Sequence, residues 1–484
     1  MKIRTIELTF HTLSHLHSTI TMAPSKNVRT ISQEAFDGLI KENMDDLDMD
    51  PTEALQDAIE TLTLQGVDLS GIVTCIPGVT NANENPIIQS LDRLRELNST
   101  TQFDNKDIDE VAESLDTFYD LCSTEGSGNA SIGTRNEGLD LVISICSKIP
   151  VQCEGTLVSA FKAMALLIYD IQSTEAFRRC GGPKIIVDIL TDSCQNINIW
   201  SSGFAVVAAA ATGNELVKEA FMELKIDELL FKILRGITKT SIQSPYNAIR
   251  VLLTPDDGRV VASQVYGYAR RFGKIGMAEA LMGPLREGLR SPNLVSASIA
   301  LKSVAVNDEI CKSIADNGGI DVVLQCIDDS GVQNNDTAAR ACCSLLSKLA
   351  GSDANKSSIV QRGGMDRLVK LSSRFSEDSF VLQEIMSIVC ILSLRSPDNA
   401  ARAIEAGAGD MAIQAMQKFQ NAHQMQKQSC LMIRNLAVRN AENRTILLGN
   451  GIEKIIRRAK ENNEGCRAAA ADALRDLGLD NYNS

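Results

Sequence analysis

Residues 318–327 read Gly-Gly-Ile-Asp-Val-Val-Leu-Gln-Cys-Ile, and residues 363–372 read Gly-Gly-Met-Asp-Arg-Leu-Val-Lys-Leu-Ser. From Gly319 to Gly364 is 45 residues, from Gly364 to Gly409 again 45, and from Gly409 to Gly451 42. Upstream, Leu139 to Pro183 is 44. Each glycine turn leads into an apolar segment, such as PKIIVDIL, IDELLFKIL, MDRLVKLS or IEKIIRRA. A polar loop follows, and then a longer apolar stretch: ASIALKSVAV, ARACCSLLSKLAG, QEIMSIVCILSL, SCLMIRNLAV and AAAADALRDLG. The apolar spacing is helical. Glycine suits the sharp turn between the first and second helix because it takes positive φ without a Cβ clash.

A period of 42–45 residues with two or three helices predicts an all-α, right-handed armadillo/HEAT-type superhelical solenoid. One unit cannot bury its apolar faces alone, whereas stacked units share a continuous core. The chain accommodates about eight units from 107 to 480 and a partial cap before them. The Ala-rich helix Ala468 to Ala473, ending at Gly478, suits a C-terminal cap.

Before the repeats, residues 25–106 read as an acidic helical segment with a flexible linker. Asp50-Pro51-Thr52-Glu53 is a helix start, with Asp50 as cap and Pro51 in the first turn. Leu55, Ile59, Leu62 and Val67 recur near helical spacing, and Gly66 ends the helix. An earlier helix carries Phe36, Leu39, Ile40 and Met44 on one face. The acids Asp45, Asp46, Asp48 and Asp50 between them lack the glycine turn and distal Glu of a calcium loop, so a solvated link is expected. Residues 77–86 read as a loop. Two amphipathic helices with little core between them suit a docking segment, on the rest of the chain or on a partner.

Residues 1–24 read as a disordered extension, with Met22 a possible true start. Lys2 and Arg4 against the single acid Glu7 weakly suggest a transit peptide in 1–21. That gives the alternative of an organelle-targeted solenoid. His11 and His15 stand at i, i+4 without a further ligand, so no metal and no cofactor is expected.

Net charge is -13, aromatics are 4% and Trp200 is the sole tryptophan, which argues against nucleic-acid binding. No run of 18 apolar residues suggests a membrane span. Thirteen cysteines without regular spacing, the vicinal pair Cys342-Cys343 included, read as reduced, buried thiols in a cytoplasmic or nuclear setting. The sequons at Asn98, Asn355 and Asn443 are then coincidental. No phosphate loop, serine-nucleophile or zinc motif occurs, and neither an enzyme nor a small-molecule substrate is expected. A monomer is expected.

The segment TISQEAFDGLIKENMDDLDMDPTEALQDAIETLTLQGVDLSGIV (30–73), with SCLMIRNLAVRN (429–440) and ALRDLG (473–478), resembles the armadillo repeat-containing protein 6 family. The resemblance covers nearly everything after Met22 and implies an intracellular helical solenoid without enzymatic activity.

Armadillo proteins hold extended peptides on a concave ladder of third helices. In the nuclear-import adaptors of this fold, a Trp-x-x-x-Asn pattern does so. Aligned here, the Asn column reads Val251, Ser303, Lys348, Ser393, Asn435 and Asp476. The Trp column reads Asn247, Ile299, Ser344, Val389, Leu431 and Asp472. Only Asn435 matches, so a transport adaptor is a poor fit. The column before the Asn reads Arg250, Lys302, Ser347, Leu392, Arg434 and Arg475, with Arg340 and Lys348 nearby. A positive stripe in an acidic protein favours an acidic or phosphorylated partner segment, unless neighbouring acids neutralise it. The acidic link at Asp45 to Asp50 is a possible internal occupant.

One unit, Ile226 to Ala278, is longer than its neighbours. The surplus lies in 254–276 and carries Tyr266, Tyr268, Arg270, Arg271, Phe272 and Lys274. Tyr and Arg favour interface hot spots, although the aromatics could equally pack on the next repeat. Pro284 falls within the following apolar segment, so that helix should kink or start late. The expectation is a non-enzymatic scaffold or adaptor for a protein partner.

Overall fold

The computed structural model describes residues 29–100, 103–126, 128–193, 195–237 and 240–480. The expectations for residues 1–24 lie outside them. Among the described residues there are 28 α-helices and one parallel pair of two-residue strands, Arg29–Thr30 with Val67–Asp68. The chain divides into two compact units, one ending at Lys148 and one beginning at Ile149.

In the first unit, helices Gln33–Asp45 and Pro51–Leu64 close on each other. Phe36 and Ile40 pack against Ala54, Ala58, Leu62 and Ile72, and the two alanines allow the close approach. Asp50 caps as expected, accepting from the Thr52 N–H at 2.9 Å. Gly66 stands at φ +72° just beyond the helix end. Gln33 ties the hairpin to the strand-like segment after it, donating to Val73 O and accepting from Val73 N. The acids Asp45, Asp46, Asp48 and Asp50 are exposed on the link between the helices. Further on, Pro86–Asn98 packs on Asn105–Cys122, Asn129–Arg135 and Gly138–Cys146 around Leu91, Leu94, Val111 and Phe118.

The second unit opens with Glu154–Leu167 and continues as seven three-helix repeats. These span 171–211, 215–252, 263–304, 308–349, 353–393, 397–437 and 441–476. Each third helix packs on the third helix of the next repeat, which is the solenoid arrangement the period predicted.

The turn between first and second helices explains the glycines. Gly181, Gly276, Gly318, Gly363, Gly407 and Gly451 stand at φ +73° to +95°, and Lys225 takes the same place at φ +60°. The residue after the turn is often glycine for a different reason. A Cβ on Gly319 would lie 2.6 Å from Ile314 O, and one on Gly364 2.7 Å from Ile359 O. The second helix starts against the last carbonyls of the first.

A further repeat signature is polar. Asn355, Asn399 and Asn443 each occupy the third position of a first helix. Each donates to a carbonyl near the end of the preceding third helix: Leu349, Leu392 and Leu436, at 2.9–3.0 Å. These bonds satisfy carbonyls that a helix end leaves without an intrahelical donor. They also bury the sequon asparagines 355 and 443.

The extra length of the irregular repeat lies in the loop after Leu252 and in the twelve-residue first helix Ser263–Lys274. The next helix neither starts late nor breaks at Pro284. It runs Met277–Glu287, with Pro284 inside its last turn.

Candidate peptide-binding face

A third helix is buried on most of its circumference, because it touches its own repeat and both neighbouring third helices. What remains outward is a narrow strip with a repeated pattern: one exposed position, two buried, then an adjacent pair. The pairs are Ala208/Ala209, Arg250/Val251, Lys302/Ser303, Ser347/Lys348, Cys390/Ile391, Arg434/Asn435 and Arg475/Asp476, of which Ala208 and Val251 are themselves buried by small side chains and packing. Contacts between repeats fix this register. Lys302 Nζ donates to Ser344 Oγ at 2.6 Å, Ser347 Oγ meets Ser387 Oγ at 3.5 Å, and Asn435 Nδ2 donates to Cys390 O at 2.8 Å.

One repeat departs from the expected columns. In helix Ser379–Ser393 the sequence alignment assigned Val389, Leu392 and Ser393 to the face, but all three are buried. Ser387, Cys390 and Ile391 take those places. The stretch IMSIVCILSL is apolar almost throughout, so no charged residue marks its outward side and a two-residue slip is invisible in the sequence. The other predicted residues stand on the expected strip.

Their electrostatic states differ. Arg250 donates to Asn247 on its own helix, and burial lowers its pKa, partly countered by Asp256. The guanidinium remains charged. Lys302 faces Ser344 and lies near Glu384, whose carboxyl is pushed up by burial against the opposing pull of Lys302, Ser344 and Arg340. Arg340 pairs with Asp336 and covers the exposed Phe380 ring, 5.9 Å from its centroid. Arg250, Lys302 and Lys348 form no ion pair within 4 Å among the described residues. At the C-terminal end the stripe is neutralised internally. Arg434 pairs with Asp472 at 3.3 Å and Asp476 at 3.2 Å, and Arg475 pairs with Asp472.

The aromatic-basic cluster is split by its helix. Val265, Ala269 and Phe272 face inward. Arg271 is committed to Asp227, at 2.9 Å, and to Met222 O. Tyr268 is half-buried, receives a bond from Gln264 and has its pKa raised by burial. Tyr266 and Arg270, one turn apart, remain exposed with Lys274.

The inserted loop is held by a buried ionic cluster that sequence reasoning missed. Lys218 is 0% exposed and donates to Glu215, to Thr254 O and to Asp256. Asp257 caps the helix beginning at Glu215 by accepting from its N–H, and also pairs with Arg259. Arg259 and the two backbone donors hold the Asp257 carboxyl far below its usual range. Burial raises that of Glu215 despite Lys218. Each group faces another, and the cluster works as a latch. In the sequence it shows only as a Glu-x-x-Lys pair and an Asp-Asp, neither of which reveals burial.

Residues 28–89 match the family description "Armadillo repeat-containing protein 6 N-terminal domain". Armadillo repeat-containing protein 6 of Homo sapiens is 26% identical over 390 residues, covering 77% of this chain and 75% of the relative. The Pongo abelii protein is likewise 26% identical over 396 residues, with the same coverage. The Drosophila melanogaster homolog is 23% identical over 389 residues, covering 78% and 80%. Among solved structures, an engineered protein superposes with a TM-score of 0.57 at 16% identity, over 82% of this chain and 97% of its own. A chain from a structure concerned with a conserved phosphorylation switch controlling the interaction between cadherin and beta-catenin gives 0.57 at 17% identity, over 92% and 81%. These two likenesses carry the fold. The chain has an armadillo-type helical solenoid fold and is similar in sequence to armadillo repeat-containing protein 6.

Proposed function

We propose that the protein holds an extended, acidic segment of a protein partner along the outward strip of its third helices, without altering bonds in it. The observation that carries this reading is the row Arg250, Lys302 and Lys348. These cations stand on three consecutive third helices, free of ion pairs among the described residues, in a chain of net charge -13. Leaving three cations without a direct ion pair where acids are abundant favours an acidic ligand. Neighbouring packed helices lie about 8–10 Å apart, and an extended chain advances about 3.3 Å per residue. One acidic residue in roughly every three would therefore meet one cation per repeat.

The test is fluorescence anisotropy with a labelled peptide carrying glutamate at every third position, against the same peptide with glutamine. The expected outcome is binding of the glutamate peptide alone, weakening as salt rises. The variant Arg250→Glu/Lys302→Glu/Lys348→Glu, checked as folded by circular dichroism, should lose it. Equal binding of both peptides, or undiminished binding by the folded variant, would refute the reading.

A further inference from the structure

Helices Ser379–Ser393 and His423–Ala437 end side by side, and they and the turns that follow them line a half-open pocket of about 180 Å³. Three arginines line it: Arg395, Arg434 and Arg439. Arg434 is matched by Asp476, which also lines the pocket. Arg395 and Arg439 form no ion pair among the described residues. Asp353, the acid that feels Arg395, is held first by Lys356 at 2.9 Å.

Arg395 and Arg439 occupy the same place in successive repeats, just before the cap residues Ser396 and Asn440. Both have φ +59°, a left-handed backbone that an arginine adopts at a cost. At the corresponding place before the cap Asn214, the chain has Gly213 at φ +67°. Two repeats thus place a cation where the backbone favours glycine, and both cations line one pocket.

A second observation points to a ligand. Ser393, on the pocket wall, is 2% exposed, and its Oγ has no hydrogen-bond partner. A buried hydroxyl is normally satisfied. Here it lies behind the lining with its hydrogen-bonding capacity unused, within reach of a ligand only if the wall adjusts. Leu394, Pro397 and Val438 supply the apolar remainder of the lining. The volume lies below the usual range for whole small-molecule sites and suits one side chain.

We infer that this pocket anchors a phosphorylated serine or threonine side chain of the partner segment, between Arg395 and Arg439 and over the Ser393 hydroxyl. The inference rests on the third-helix face being a peptide site. A phosphate monoester brings a charge of about -1.5 to -2 and three acceptor oxygens, which matches two unpaired guanidinium groups and a hydroxyl donor. A carboxylate brings half the charge and one oxygen fewer. The apolar wall favours an aliphatic residue beside the phosphorylated one.

The experiment captures peptide libraries with randomised flanks on the immobilised full chain and reads them by mass spectrometry. The fixed central residue is phosphoserine, serine or aspartate. The phosphoserine library should be enriched about tenfold or more over the other two. Arg395→Gly/Arg439→Gly should abolish that preference. Glycine accepts the left-handed backbone, so this double variant deletes the charges without straining the turns. Ser393→Ala should lower the enrichment severalfold. No preference for phosphoserine, a preference that survives in the double variant, or equal capture of aspartate would each overturn the assignment. The variant Arg250→Glu/Lys302→Glu/Lys348→Glu should keep the single-phosphate preference while losing the glutamate peptide. A failed pocket beside intact glutamate-peptide binding therefore leaves the wider face standing, and the converse isolates a failure of that face.

Discussion

Replacing Lys218 by Met tests whether the ionic latch holds the inserted loop. Lys218 is 0% exposed, with its Nζ 2.8 Å from Glu215 and bonded to Thr254 O and Asp256. Methionine keeps most of the apolar stem, so little cavity is created and the loss reports the charge. Removing one partner of a buried pair costs about 3–5 kcal/mol, because the other charge is left uncompensated. Two features pull the value towards the lower end. The Asp256 side chain is 30% exposed and can turn to water. Glu215 already has its pKa raised by burial and can take up a proton. We therefore expect about 3 kcal/mol, felt locally because repeat arrays open unit by unit. By hydrogen exchange, amides in 215–223 and 253–262 should exchange about a hundredfold faster than in the parent at pH 7. The sign with pH follows from Glu215. Its folded pKa stands above the unfolded one, so acidification through it favours the folded state and should shrink the deficit. Adding Glu215→Gln to Lys218→Met should recover most of the loss at neutral pH. A loss under about 1 kcal/mol, or unchanged exchange in the loop, would show that the loop is held by packing instead.

Gly364→Ala should destabilise by about 1–3 kcal/mol in urea melts although Ala is the better helix former, since its Cβ would meet Ile359 O at 2.7 Å. Gly267→Ala, inside a helix with nothing within 4 Å, should instead stabilise by about 0.5–1 kcal/mol, and the same sign for both would undo the argument. Asp257 has a folded pKa far below that of an unfolded Asp, near 3.9, so its contribution is present above about pH 4 and is lost as pH falls below it. Asp257→Asn should flatten the acid limb of the stability profile, and an unchanged limb would assign acid sensitivity to other carboxylates.

The repeat was legible because its constraints are backbone constraints. A positive φ at Gly318, Gly363 and Gly451 and a carbonyl pressed on Gly319 and Gly364 leave glycine at fixed intervals, whatever the repeats bind. The N-terminal hairpin was legible for the same kind of reason, through Asp50, Pro51 and Gly66. Side-chain placement was legible only where a charge marks the outward side, as at Lys302, Lys348 and Arg434. It failed in the apolar helix Ser379–Ser393. The ion pairs of Arg434 and Arg475 lie with acids in the same columns, Asp472 and Asp476, so the columns were readable but their mutual neutralisation was not. Arg395 and Arg439 were present in the sequence as Leu-Arg-Ser and Val-Arg-Asn before successive first helices. Nothing in composition or period distinguishes such an arginine from a solvated one. Both side chains are exposed, and what the structure adds is the left-handed backbone at each and the pocket they share.

The order of charges along the array has a consequence for the partner. Arg250, Lys302 and Lys348 lie on consecutive repeats, the next strip position is the neutral pair Cys390/Ile391, and the Arg395–Arg439 pocket follows. Asp476 pairs with Arg434 in the pocket wall and Asp472 meets Arg434 and Arg475, so an acidic chain would gain little by continuing and would face carboxylates if those pairs opened. A uniformly basic strip would let an acidic peptide slide by one repeat at little cost, because each shift exchanges one cation for another. A run of three cations, a neutral gap and a pocket with two unpaired arginines would remove that degeneracy. Only one register puts spaced acids on the run and a phosphoryl group in the pocket. On the proposed reading, the ion-paired end would restrict where a ligand stops, and the unpaired cations would set where it starts.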